Sequence, residues 1–428
     1  MPPSLVPRDY VLLALRLDRL APGIVDTWTG DPALRRYAAD GPAPVPAALA
    51  RTARRLRAEL ADTALGSTRT GFLAAQLRAL ECLARRLAGE PVGFVEEVAA
   101  CFDVDLAGVR PDEDRYRAAH RRLDELLPGP GTLPQRLTAF RERERVPRER
   151  LRAAVDALLA ALRERTRARI GLPVDEHVEV ELVVDRSWSG LTTHLGGLRS
   201  RVTVSADAGL RAAQLAGLVA HEAYPGHHTE HCLVRGVRRP DRPERGLVVT
   251  PSPHSLVTEG AADAGLDVVG GVVGGPGWGP WVAEVLADVG VRCDGPLAEA
   301  VEDALRELAP VRQDAALLLH DRGGDVDDAA AHLRRWLLVP DGRARRILRF
   351  VTDPRWRGYT TTYVEGEALV REWLDGAPDR VARYRTLFDE PLAPAQLRAT
   401  AASGPSAVGP PGCGPSGPTP AEVPETPS

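Results

Sequence analysis

Lysine is absent from this chain of 428 residues, so all 55 of its basic side chains are arginines. This bias fits codon usage in a GC-rich genome and does not indicate a function. The chain also has 59 acidic residues, which gives a formal net charge of −4. Such a charge provides no broad positive surface for nucleic acid or anionic lipid, so we expect neither as a partner.

Cysteines and long apolar runs are scarce as well. The five cysteines are odd in number, widely spaced and without a CxxC pair, which argues against a disulfide framework and a thiolate metal site. No apolar run approaches the roughly 20 residues of a membrane-spanning helix. The apolar stretch 10–17 is interrupted by Arg16 and precedes no small-residue cleavage site. We therefore expect a soluble, cytoplasmic protein without a membrane partner, whose oligomeric state stays open.

Helical patterns dominate the chain and predict a mainly α fold with a small β element. Amphipathic segments follow one another through residues 1–170, which we assign to an N-terminal helical region. Alternating, β-branched runs at 178–184 and 201–204 predict a short hairpin or small sheet. We assign this element and the helices after it to a second region of the same compact unit, residues 171–402, whose histidine-rich segment leads us to expect a metal-site catalytic region. Residues 403–428 are rich in Pro, Gly, Ser and Thr and are expected to be disordered.

Four of the ten histidines fall in one short segment between His221 and His231. It begins with His221 and Glu222, as in the HExxH motif, in which two histidines one helical turn apart bind zinc and the glutamate activates water. The position four residues after His221 is Pro225, which cannot be a ligand. The second ligand must therefore come from a later histidine of the segment, His227 or His228. We expect His231 not to bind the metal.

An unbroken helix would keep the candidate ligands apart. His228 would return to the face of His221 but about 10 Å along the axis, and His227 would point about 120° away. Neither could share one ion with His221, because metal–nitrogen bonds measure about 2 Å. Pro225 and Gly226 favour a kink or bulge, since proline lacks a backbone N–H and glycine relaxes the backbone. We predict a break that swings the following histidines back.

A third ligand is expected downstream, because a catalytic zinc site has three protein ligands and one open position. Ser252 followed by Pro253 predicts a helix start. Glu259 then falls in the second turn, among small apolar neighbours that do not suit a solvated face. Asp263, one turn further, could accept a hydrogen bond from a ligand imidazole. The metal would be Zn²⁺ or another divalent ion.

The motif HEAYPGHH at 221–228 and the pair Glu259-Gly260 resemble the hallmark of a bacterial family of unknown function, numbered 885. The segments LGGLRS at 195–200 and YTTTYVEG at 359–366 are similar to two further elements of that family. The resemblance extends over residues 170–375.

This resemblance implies a fold similar to that of the helical carboxypeptidases of the Taq type, which are zincin-like metallopeptidases with a deep cleft. It favours His227 as the second ligand, with His228 as the alternative or as a group near the substrate. The spacing of Glu259 and Asp263 is also similar to the ExxxD pair of thermolysin-like enzymes. His221, His227 and Glu259 would then hold the metal.

The predicted chemistry is hydrolysis of a peptide or small amide. A bound zinc ion would acidify the attacking water and polarise the scissile carbonyl, while Glu222 accepts a proton and delivers it to the leaving amine. Tyr359, Tyr363 and His228 are candidate donors to the oxyanion. A substrate carboxylate could be held by arginine, although each arginine is more simply explained as a surface residue. The arginines considered for this are Arg199, Arg345, Arg346, Arg355 and Arg357.

Three functions agree with these observations. The first is a peptidase, either a carboxypeptidase or an oligopeptidase. The second is another metal-dependent enzyme on the same scaffold, cleaving a small amide or performing a tailoring step, and the altered motif spacing motivates it. The third is a binding protein that retains a relic site, against which the intact Glu222 argues.

Overall fold

The computed structural model describes residues 5–402 except 187, 237–238, 272–274 and 276. The structure is 64% helix and 8% strand, which confirms the predicted mainly α fold with a small β element. The expected disorder of 403–428 concerns residues outside the described ones. Within the described ranges, no helix combines the length and apolarity needed to cross a membrane.

The N-terminal region is a succession of amphipathic helices. Side chains of Asp31 and Asp112 cap two of them by accepting hydrogen bonds from backbone N–H groups two and three residues later. The helices are α1 (Val6–Leu20), α2 (Pro32–Asp40), α3 (Pro46–Glu59), α4 (Ser67–Leu87), α5 (Phe94–Phe102), α6 (Glu113–Leu126), α7 (Leu133–Arg143) and α8 (Leu151–Arg169).

The strands are β1 (Val25–Trp28), β2 (His177–Val183), β3 (Gly190–Gly196), β4 (Arg199–Ser205) and β5 (Leu247–Val249). β1 and β5 pair antiparallel, and the other three form a sheet in the order β2–β4–β3. The two predicted runs, now β2 and β4, are neighbours but run parallel, so they do not form a hairpin with each other. The hairpin joins β4 to β3, a strand that the sequence patterns did not reveal.

The C-terminal region resumes the helical pattern after the sheet. As predicted, one helix begins at Pro253, where the Ser252 side chain accepts a hydrogen bond from the backbone of Ser255. The helices are α9 (Ala212–Glu222), α10 (His227–Glu230), α11 (Pro253–Gly270), α12 (Gly279–Ala287), α13 (Gly295–Arg306), α14 (Pro310–His320), α15 (Val326–Leu337), α16 (Asp341–Thr352), α17 (Glu367–Asp375), α18 (Arg380–Asp389) and α19 (Pro394–Ala402), with π-helical turns at His231–Arg235 and Thr362–Gly366.

Helix α11 lies against several other elements because its small residues allow close approach. A Cβ atom added to Gly260 would lie 2.1 Å from the carbonyl oxygen of Gly366, so the π-helical turn at 362–366 packs directly on the α11 backbone. A Cβ on Gly265 would lie 2.9 Å from the ring of Pro225. These contacts hold the HEAYPGHH segment and the YTTTYVEG segment against the same helix.

Candidate metal centre

The predicted break after α9 is present in the structure. The helix ends at Glu222, and Ala223 leaves the helical conformation with φ −119° and ψ −81°. The Tyr224–Pro225 peptide bond is cis, and a new helical turn begins at His227. The backbone N–H of Gly226 donates to the carbonyl of Ala220 over 2.9 Å, which folds the chain back on α9.

Only glycine fits at the break. A Cβ atom on Gly226 would lie 1.9 Å from the carbonyl oxygen of His221 and 2.6 Å from that of Ala220. Both distances are far shorter than real carbon–oxygen contacts, so the chain can approach α9 this closely because position 226 has no side chain.

The break brings His221 and His227 to Glu259. The two Nε2 atoms are 3.1 Å apart. Glu259 places Oε2 at 3.5 Å from Nε2 of His221 and Oε1 at 3.6 Å from Nε2 of His227. One ligand atom from each residue lies within 4.8 Å of the other two. We call these three residues the metal cluster.

The atoms of the metal cluster fit a zinc-type ion. Nδ1 of His221 lies 2.8 Å from Oδ1 of Asp263, and an Nδ1–H donated to that carboxylate leaves the lone pair of Nε2 for a metal. The Oε2 atom of Glu259 is buried and accepts no hydrogen bond from any described residue. Two imidazole nitrogens and one carboxylate are also a known ligand set of catalytic zinc.

Negatively charged side chains surround the metal cluster. Burial lowers the pKa of His221, but the charge and hydrogen bond of Asp263, with the charges of Glu222 and Glu259, outweigh it and raise the pKa to about 10. Burial raises the pKa of Glu259, while the two imidazoles of the cluster oppose that rise. A divalent cation among these carboxylates would be the largest local charge and would balance them.

Glu222 lies beside the cluster and is held by a threonine. The hydroxyl of Thr192 on β3 lies 2.8 Å from Oε2 of Glu222 and 2.7 Å from its carbonyl oxygen. No described residue donates a hydrogen bond to the Oε1 atom of Glu222. The sequence patterns did not point to Thr192, because they did not reveal the strand β3 on which it lies.

Both candidate tyrosines lie near the metal cluster. The hydroxyl of Tyr359 lies 3.1 Å from Oε1 of Glu259, and the ring of Tyr363 is 5.6 Å from that of Tyr359. Burial, followed by the charges of Glu259, Asp263 and Glu222, raises the pKa of Tyr363 well above its ordinary value. Its hydroxyl therefore stays protonated and able to donate at neutral pH.

The structure does not bring His228 to the cluster. Its side chain is fully buried, with Nε2 at 2.9 Å from Glu176 and Nδ1 at 2.8 Å from Ser200. Tyr224 and Arg163 bind the same Glu176 carboxylate. Both ring nitrogens are thus engaged in a buried network, so His228 is placed neither as the second ligand nor as an oxyanion donor.

Two further histidines lie outside the cluster. His231 is buried with Nδ1 at 3.5 Å from Ser200, which agrees with the expectation that it is no ligand. His194 lies two residues after Thr192 on β3, and its ring is 4.8 Å from that of His231. Its two ring nitrogens are buried without a hydrogen-bond partner in the described ranges.

Comparisons with known proteins identify a similar fold. No family model matches the chain, and no curated protein matches it. The crystal structure of a "putative lipoprotein" from Colwellia psychrerythraea is similar, with a TM-score of 0.51 and 15% identity. The match covers 83% of this chain and 66% of that one, so this chain spans about two thirds of its neighbour's length.

A second solved structure, a "putative lipoprotein" of unknown function from Shewanella oneidensis, matches with a TM-score of 0.46 and 13% identity over 90% of this chain and 77% of that one. At these identities, the likeness to the Colwellia protein shows the fold alone. The resemblance to family 885 and to Taq-type carboxypeptidases therefore stays a prediction.

Proposed function

We propose that the protein is a metal-dependent hydrolase, with zinc as the metal, that cleaves a peptide or small amide bond. The observation that carries this proposal is the convergence of His221, His227 and Glu259 within 4.8 Å beside a glutamate that can act as general base. The resemblance to family 885 also supports the proposed hydrolase. For the location we propose the cytoplasm, where thiols stay reduced, and the four described cysteines are free.

A zinc ion held by this cluster would acidify the attacking water and polarise the scissile carbonyl. Glu222 then accepts the proton of that water and returns it to the leaving amine. Thr192 supports this role because its hydroxyl engages Oε2 of Glu222 and leaves Oε1 for the proton. Asp263 orients the imidazole of His221 and keeps its Nδ1 protonated.

Tyr363 is the side chain that we assign to the developing oxyanion. The hydroxyl of Tyr359 already donates a hydrogen bond to Glu259, whereas no described residue accepts a hydrogen bond from the hydroxyl of Tyr363. Carboxylates and burial keep that hydroxyl protonated, and a preorganised donor of this kind stabilises negative charge as it forms. Tyr359 serves instead to fix the ligand carboxylate.

The test combines metal analysis with activity measurements. We expect the purified protein to hold one zinc ion and to hydrolyse members of a blocked-dipeptide panel. Glu222→Gln should retain the metal and lose hydrolysis, because the amide cannot accept the proton. Metal binding without cleavage of any peptide or small amide would refute the hydrolase, and a protein that binds no divalent metal would refute the site itself.

A further inference from the structure

Four of the arginines considered from the sequence for a substrate carboxylate already have partners elsewhere. Arg199, Arg345 and Arg357 pair with acidic side chains, and Arg355 donates to the carbonyl oxygen of Pro22. Other arginines, which the sequence patterns did not single out, lie around a cavity.

This cavity measures about 270 Å³ and lies where the start of α1, the residues after β1 and the residues before β5 meet. Four arginines line it: Arg8 from α1, and Arg239, Arg242 and Arg245 from the segment before β5. Arg239 is exposed, so the cavity opens to solvent on that side. Asp31 is the one acidic residue in the described part of the lining. The cavity wall is therefore mainly positively charged.

Arg245 is the buried arginine of this lining. The residue is 8% exposed. Its Nη atoms donate to the backbone carbonyls of Asp389 and Phe388, and its Nε is buried without a hydrogen-bond partner in the described ranges. No carboxylate of a described residue forms an ion pair with it. A buried guanidinium without a carboxylate partner is unfavourable, and an anion in the cavity would pair with it.

The other lining arginines differ in how far they are paired. Both Nη atoms of Arg242 donate to the Glu390 carboxylate, over 3.0 and 2.7 Å. The Nη1 atom of Arg8 is 3.6 Å from the carboxylate of Asp9, which is longer than a hydrogen bond. Arg239 makes no hydrogen bond or ion pair with any residue that the structure describes. Arg8 and Arg239 thus keep donors for a ligand.

The start of helix α2 also borders the cavity but offers no free backbone donor there. The N–H of Ala33 donates to the side chain of Asp31 over 2.9 Å, and the N–H of Leu34 donates to the carbonyl of Asp31 over 3.0 Å. The arginines are therefore the donors that a ligand can use. Leu34 and Val234 belong to the lining as well, so the cavity also has apolar wall for an uncharged part of the ligand.

The size of the cavity and the chemistry of its wall limit the ligand. Cavities for drug-sized ligands begin at about 300 Å³, so this one suits a smaller molecule. Arginine binds carboxylates and phosphates through paired hydrogen bonds. A phosphate monoester has three terminal oxygens and a charge of about −2 at neutral pH, whereas a carboxylate has two oxygens and one charge. Several arginines around one cavity therefore favour a phosphoryl group.

We propose that this cavity binds a small phosphate monoester, with its phosphoryl group held by Arg8, Arg239 and Arg245. No residue of the metal cluster lines the cavity, so this is a second binding site. The inference goes beyond the proposed hydrolase and does not depend on it.

Isothermal titration calorimetry of the metal-loaded protein tests the ligand class. The probes are glycerol 3-phosphate, succinate, which is a dicarboxylate of similar size, and glycerol, which is uncharged. We expect glycerol 3-phosphate to bind at least about tenfold more tightly than succinate, as one additional charged hydrogen bond would give. Glycerol should not bind measurably. Succinate that binds as tightly as glycerol 3-phosphate would overturn the assignment to a phosphoryl group.

Two variants locate the binding. Arg245→Gln removes the buried charge and should weaken binding of glycerol 3-phosphate at least about tenfold. Leu34→Glu introduces a carboxylate into the lining and should weaken it by a similar factor. An acidic residue in the first turn of a helix is favourable, so Leu34→Glu tests the site even if Arg245→Gln fails to fold.

Ala33→Glu is the matched control for Leu34→Glu. Ala33 lies in the same helical turn and is exposed, but it does not line the cavity. Because water and salt screen an exposed charge, the control should change the affinity by no more than about twofold.

Three results would overturn the second site. They are a wild type that does not bind glycerol 3-phosphate, equal affinities in Leu34→Glu and Ala33→Glu, and an unchanged affinity in folded Arg245→Gln. Phosphate bound only at the metal would give the same affinity in all of these proteins and would therefore count against the cavity. Each of these results would leave the proposed hydrolase untouched, because that proposal is tested by metal content and hydrolysis.

Discussion

The Nε2 atoms of His221 and His227 lie 3.1 Å apart, although an unbroken helix would separate the two side chains by about 9 Å along its axis and direct them apart. The turn at 223–226, where Gly226 folds back onto α9, brings the two imidazoles together. The proposed metal cluster thus depends on a helix that stops directly after its first ligand.

Replacing Gly226 tests whether the close approach at the break is required. Gly226→Ala would place a Cβ 1.9 Å from the carbonyl oxygen of His221, so the turn must move and take His227 with it. We expect a loss of about 3 kcal/mol in the free energy of unfolding, measured by urea denaturation, and a large loss of zinc affinity, measured by calorimetry.

Gly217→Ala is the matched control on the same helix. A Cβ at Gly217 would have no neighbouring atom within 4 Å, and alanine favours helix over glycine by up to about 1 kcal/mol. The control should be neutral or slightly more stable, with unchanged zinc affinity. If Gly226→Ala behaved like Gly217→Ala, the turn would not have the tight geometry described above.

Thr192→Val tests the positioning of the general base. Valine keeps the shape of threonine but cannot donate to Glu222, and a hydrogen bond to a charged group contributes about 1.5 kcal/mol. We expect kcat to fall roughly tenfold while the zinc affinity stays constant. Thr193→Val, at the adjacent exposed position of β3, should have no effect. Equal effects of the two substitutions would contradict the role of Thr192.

Asp263→Asn tests the partner of the first ligand. The carboxylate lies 2.8 Å from Nδ1 of His221 and raises the basicity of the ring. We expect zinc affinity to fall by about 10- to 100-fold in competition titrations with a chromogenic chelator. The exposed Asp288→Asn serves as control, and an unchanged affinity in Asp263→Asn would show that the contact does not support the metal.

Glu176 gives a prediction for the pH dependence of stability. Burial raises its pKa, but hydrogen bonds from His228, Tyr224 and Arg163 outweigh burial and lower the pKa to about 2. Because the folded pKa is below the unfolded value, its ionised form stabilises the protein fully above about pH 4.5. This contribution, on the order of 3 kcal/mol at most, is lost as the pH falls toward 2.

Glu176→Gln should therefore be less stable than the wild type at pH 7, and the difference should shrink as the pH falls from 4.5. Urea denaturation at several pH values measures it. The zinc affinity of the variant should be unaffected, since Glu176 contacts His228 and not a residue of the metal cluster. A difference that is independent of pH would contradict the ionised state of Glu176.

The features that could be predicted from the sequence are those that depend on residues close together in the chain. The start of α11 follows from a serine cap and a proline at the first helical position, Ser252 and Pro253. The break after Glu222 follows from Pro225 and Gly226, because both residues act on the backbone within one turn. These local features already suggested that Glu259 and the histidines could converge.

The features that could not be predicted, strand β3 and the position of His228, depend on partners far away in the chain. β3 contains Gly190, Thr192 and His194 and lacks a hydrophobic alternation, so only its pairing with β4 makes it a strand. The place of His228 depends on Glu176, which lies 52 positions earlier in the chain. A pattern of neighbouring residues cannot reveal such a partner, and the choice between His227 and His228 stayed open for that reason.

Diffraction at the zinc absorption edge from crystals of the zinc-loaded protein tests the central claim most directly. We predict one anomalous peak about 2.0–2.2 Å from Nε2 of His221, Nε2 of His227 and a carboxylate oxygen of Glu259, with His228 still bound to Glu176. A peak on His228, or a helix that continues without interruption from Glu222 to His227, would contradict the account.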